Sequence, residues 1–104
     1  NDKTIQCIKD KQNQRISGHT CFIYGKLVVS FNSDISLNDA ISIIKSYGLS
    51  SPNHWLRGGF RNKESVGVLE IKVPQYEELK WECILEANNK ILGARPRGSN
   101  NCNL

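Results

Sequence analysis

Two stretches of strict alternation, separated by a stretch of helical spacing, constrain this chain more than any other feature. Phe22 to Phe31 alternates around Lys26-Leu27-Val28-Val29-Ser30-Phe31, which places Leu27, Val29 and Phe31 on one face of a strand. Asn32-Ser33-Asp34 is turn chemistry, and Ser36 is then a good helix N-cap with Asp39 three residues on. Leu37, Ala40, Ile41, Ile44 and Tyr47 recur at helical spacing, and Gly48 supplies a left-handed stop. After a loop at 50–53 and a short strand at 54–60 broken by Gly58-Gly59, the second alternation begins. Across 66–73, Leu69, Ile71 and Val73 point one way and Val68, Glu70 and Lys72 the other. Pro74 ends that strand. A second helix is expected over 77–88, with a stripe of Leu79, Cys83, Ile84 and Ala87 and with Trp81 and Leu85 at its margin, its acidic residues Glu77, Glu78, Glu82 and Glu86 forming a solvated face. Ile91–Ala94 reads as the last strand.

The order from residue 22 is thus strand, helix, strand, strand, helix, strand. It predicts an α+β, ferredoxin-like split β-α-β sandwich, a four-stranded antiparallel sheet with two helices on one face. The other face is left to water or a partner, which accounts for the polar side of each alternation. Residues 1–21 read as a polar arm or hairpin, 22–97 as the domain and 98–104 as a C-terminal tail. A chain of 104 residues leaves no space for a second core.

Four cysteines, Cys7, Cys21, Cys83 and Cys102, form an even set with no C-x-x-C pair and no metal-knuckle spacing. Two structural disulfides and an oxidising, extracytoplasmic compartment are the simplest reading, with four buried thiols in a cytosolic domain as the rival. Cys7–Cys21 with Cys83–Cys102 is the favoured pairing because each bond closes a local loop; Cys7–Cys102 would tie the termini together instead. A start at Asn1 with no Met in the chain fits a processed protein or an excised piece. Apolar runs such as Leu27-Val28-Val29 are far short of a bilayer span. The net charge of +4 is scattered, so it favours acidic partners only weakly.

Catalysis and nucleic-acid binding find little footing. His19 and His54 read as loop and strand-edge residues, no nucleophile pair stands out, and no cofactor or metal motif occurs. Gly58-Gly59 suits a bulge better than a phosphate loop. Sheet-based RNA recognition needs exposed aromatics on a central strand, and Val66-Gly67-Val68-Leu69-Glu70-Ile71-Lys72-Val73 has none. Small size, the absence of Met, four cysteines and a net positive charge fit a disulfide-stapled secreted toxin or effector acting on a target cell or host protein, with a small enzyme as the minority reading.

Two stretches carry a resemblance. Leu27-Val28-Val29-Ser30-Phe31, with Ser36, Asp39-Ala40 and Ile43-Ile44-Lys45-Ser46-Tyr47-Gly48-Leu49, resembles the first strand and helix of subtilisin-type protease propeptides. Val68-Leu69-Glu70-Ile71-Lys72-Val73-Pro74, Glu77-Glu78-Leu79, Asn88-Asn89-Lys90-Ile91 and Ala94-Arg95-Pro96 are similar to that family's second half. Tyr76 stands where the family commonly has Gly. The resemblance implies a non-catalytic chaperone or inhibitor whose open sheet face lies on two surface helices of a subtilisin-like serine protease. By position, Val68, Glu70 and Lys72 would make the sheet contacts. Arg95-Pro96-Arg97 would begin a tail that runs through the substrate cleft as an added strand.

Overall fold

A computed structural model describes residues 2–16, 21–50, 55–61 and 64–99, with side chains described for 2–13, 24–50 and 67–96. Its elements are α1 (Asp2–Ile16), β1 (Cys21–Phe31), α2 (Leu37–Ser46), β2 (Trp55–Arg61), β3 (Glu64–Lys72), α3 (Glu78–Glu86) and β4 (Ile91–Ser99). The strands pair antiparallel in the order β2-β3-β1-β4, with β1 and β3 in the middle.

The alternating residues set the two faces. Leu27, Val29 and Phe31 of β1 and Leu69 and Ile71 of β3 are buried against the helices, together with Val73 just past β3. Ala40 and Ile44 of α2, Leu85 of α3, and Ile91 and Ala94 of β4 complete the core. Burial of a side chain such as Phe31 or Leu27 is worth roughly 1.5–3 kcal/mol, so this one cluster supplies most of the driving force. α2 begins where its cap requires: the Asp39 N–H donates to Ser36 Oγ at 3.2 Å. It ends at Gly48, whose φ of 76° lets its N–H reach back to the Lys45 carbonyl. The Asn88 side chain accepts from the Lys90 N–H at 2.9 Å and turns the chain from α3 into β4.

The expected two-helix sandwich is overturned. Among the described residues there are three helices, because the opening segment is not an arm or hairpin but α1, a helix of 15 residues that packs on α3. The helices back three antiparallel strands, β3, β1 and β4, and β2 extends the sheet at the β3 edge. The physical reason is a helix face made without an apolar stripe. Thr4, Cys7, Ile8 and Lys11, at intervals of three and four, are the half-buried positions of α1, and Lys11 lays its stem on α3 while its ammonium meets two carboxylates.

A second correction concerns α3. Its covered side is Glu82, Cys83 and Leu85, whereas Ala87 is exposed. Glu82 is only 1% exposed, so it does not belong to a solvated face. Lys11 Nζ lies 3.4 Å from Glu82 and 2.8 Å from Glu86. Trp81 packs edge-on against Tyr47 across the α2–α3 contact, and among the described residues none accepts from its buried Nε1.

Candidate functional site

The sheet face opposite the helices is built by the polar side of each alternation. On β3 these residues are Val68, Glu70 and, at the strand's end, Lys72. On β1 their direct partners are Ser30, Val28 and Lys26. β4 adds Arg95 opposite Val28 and Gly93 opposite Ser30. Val28, Ser30, Val68 and Glu70 are half-buried, while Lys72 and Arg95 are exposed. Lys26 and Lys72 oppose each other directly, a like-charge pair that Glu70 offsets by reaching Lys26 Nζ at 3.3 Å along the diagonal. The middle of this face is thus a short apolar strip, Val28 with Val68, flanked by Glu70 and by three cationic side chains. Such a surface suits a protein partner with both apolar and charged contacts.

Arg95, Pro96 and Arg97 do not start a tail. All three lie within β4, with Arg95 opposite Val28, Pro96 opposite Leu27 and Arg97 opposite Ile23, and the strand continues to Ser99. β4 is an outer strand of the sheet, where a proline is tolerated because its missing N–H faces away from the ladder. Proline and flanking arginines also discourage another chain from pairing along that edge. The side chain of Arg97 lies outside the described residues.

A feature that sequence reading missed sits where β3 hands over to α3. Between Ile23 and Leu27 the β1–β4 register shifts, leaving Tyr24, Gly25 and Lys26 as an irregularity in β1. Gly25 has φ of 79°, and its carbonyl accepts from the Val73 N–H at 3.0 Å. One carboxylate oxygen of Glu78 accepts from both the Gly25 N–H at 2.8 Å and the Tyr76 N–H at 3.1 Å. Glu78 therefore pins the β1 bulge to the 74–77 turn. Tyr76 itself has φ of 73° and is 80% exposed, and its ring lies 5.7 Å from that of Tyr24, which is 62% exposed. A non-glycine residue held in the left-handed region with its ring in solvent is uncommon. The traces of this corner in the sequence are Gly25, which interrupts an alternating run, and Tyr76 at a position where the resembled family commonly has Gly.

The favoured cysteine pairing is corrected. Cys7 of α1 is bonded to Cys83 of α3, with the Cα atoms 5.8 Å apart and a sequence separation of 76. That bond excludes Cys7–Cys21, Cys83–Cys102 and Cys7–Cys102 alike. α1 brings Cys7 back onto α3, so closeness in sequence does not set closeness in space. The side chains of Cys21 and Cys102, and the residues His19 and His54, lie outside the described residues. The β2–β3 register shifts between Arg57 and Gly59, so the glycine pair forms a bulge.

Among the described residues no group of three or more His, Cys, Asp or Glu side chains is placed to hold a metal ion. Among them, too, no helix is long and apolar enough to cross a membrane. Comparison with protein-family models, with curated proteins and with solved structures returns no match to this chain.

Proposed function

We propose that this chain is an extracytoplasmic, non-catalytic module that binds another protein through the sheet face opposite its helices. The observation that carries this reading is the contrast between the two faces of β1 and β3. One side is fully occupied by Leu27, Val29, Phe31, Leu69 and Ile71. The other presents Val28, Ser30, Val68 and Glu70 half-buried and Lys72 exposed, in a paired array. The disulfide between Cys7 and Cys83 supports an oxidising compartment.

A subtilisin-like serine protease is the partner this reading favours. The sequence resemblance over 26–97 points there, although Tyr76 departs from it by standing where such propeptides commonly have Gly. Because Arg95–Arg97 belong to β4, inhibition rests on the sheet face and not on a strand threaded from those residues.

Titration of a subtilisin-like protease with the purified chain tests this. Progressive loss of activity at micromolar or lower concentration is expected. A double substitution at exposed positions of this face, Lys72→Glu with Arg95→Glu, should weaken that inhibition by at least about tenfold, or 1.4 kcal/mol, while leaving the thermal melt nearly unchanged. Undiminished protease activity at micromolar excess of the parent chain sinks the protease assignment.

A further inference from the structure

The apolar core is complete without α1. Among the described residues, none of α1 belongs to the buried cluster formed by the sheet, α2 and α3, or to the half-buried apolar side chains packed on it. α1 is held instead on α3, by the bond from Cys7 to Cys83 and by Lys11, whose Nζ lies 3.4 Å from Glu82 and 2.8 Å from Glu86. Glu82 is 1% exposed beneath that contact. A buried carboxylate facing an ammonium is a weak source of stability, because desolvation of both charges offsets much of their attraction. A helix of this length is also marginal in water by itself. The covalent bond, which joins positions 76 apart in sequence, is therefore the attachment that decides whether α1 stays docked.

We propose that α1 is a redox-sensitive strap: reduction of Cys7–Cys83 by a dithiol releases α1 from α3, uncovers Glu82 and Cys83, and leaves the sheet and its two other helices folded. A thiolate of the reductant attacks the sulfur of Cys7, the more exposed of the two residues, and the S–S bond breaks with Cys83 leaving as a thiolate. The second thiol of the reductant then attacks the mixed disulfide and frees Cys7. The dithiol gives up two electrons and two protons and becomes a disulfide, while the protein's S–S bond becomes two thiols. In the closed state Lys11 faces both carboxylates; in the open state Glu82, Glu86 and a thiol share one solvated side of α3, with the two carboxylates one turn apart. The strap lies on the helix layer, so the proposal stands apart from binding at the opposite sheet face.

Backbone NMR chemical shifts of the full chain, recorded before and after dithiothreitol at neutral pH, test it, with N-ethylmaleimide labelling of Cys7 and Cys83 confirming reduction. On reduction the shifts of α1 are expected to fall to random-coil values, while those of 27–31 in β1 and 69–71 in β3 stay dispersed. Exchange into oxidised glutathione should restore the helical shifts of α1. The variant Cys7→Ser with Cys83→Ser should show the released α1 without reductant and no further change with it, which assigns the effect to this bond and not to Cys21 or Cys102. The proposal is overturned by a bond that dithiothreitol leaves intact in the folded chain, by helical shifts of α1 that survive reduction, by collapse of the 27–31 shifts together with those of α1, or by a response to dithiothreitol that persists in the variant. No partner protein enters the experiment, so its outcome is independent of the protease titration.

Discussion

Tyr76 is held in a backbone conformation that an L-residue adopts at a cost of roughly 1–2 kcal/mol, yet its ring gains little burial in return. The Glu78 carboxylate compensates by accepting from the N–H groups of both Tyr76 and Gly25. Replacing Tyr76 by Gly relieves the strain, but it gives the unfolded chain more freedom and loses the contact with Tyr24. These effects nearly cancel, so Tyr76→Gly should unfold within about 0.5 kcal/mol of the parent in urea. Tyr76→Val places a β-branched residue in the same conformation and should lose about 1–2 kcal/mol. Equal midpoints for the two variants would show that the 76 position is not strained. Glu82 belongs to the same scale. On a helical wheel it groups with Glu78 and Glu86 as an outward acidic row, and nothing in its local spacing says that a second helix will cover it.

At the scale of elements, legibility tracked how each segment is held. β1, α2 and β3 are recognised from residues 26–73 because each has its own periodicity and, for α2, its own cap in Ser36. The helix-facing set Leu27, Val29, Phe31, Leu69, Ile71 and Val73, and the opposite set Val68, Glu70 and Lys72, were both readable for that reason. α1 was not, since its docking face of Thr4, Cys7, Ile8 and Lys11 contains a single aliphatic residue. Its attachments, a disulfide and a lysine between two glutamates, are tertiary facts invisible in a local window. β4 was read too short because Pro96 suggests a stop, whereas an outer strand accommodates it.

This dependence makes α1 conditional on its bond. An isolated helix of this length is marginal in water, and a bridge across a loop this long contributes about 4 kcal/mol in the chain-entropy model. The double variant Cys7→Ala with Cys83→Ala should therefore melt well below the parent. Trypsin should cut it first after Lys9 or Lys11. An unaltered melt and an intact amino-terminal peptide would mean that α1 is held by something other than the bond.

For the whole molecule, the stability gradient runs outward from β1. That strand is hydrogen-bonded on both sides, and three of its side chains, Leu27, Val29 and Phe31, have no solvent exposure. Amide hydrogen exchange should accordingly be slowest across 27–31, through openings that approach global unfolding, and fastest in α1, which opens locally. Faster exchange in 27–31 than in α1 would contradict this ranking. The two margins of the sheet are also unlike. On one side the outer strand β4 carries Pro96, which has no N–H to donate; on the other, the outer strand β2 contains no proline. Growth by recruitment of foreign strands is therefore one-sided: copies of this chain can terminate a row of strands, but they cannot propagate one.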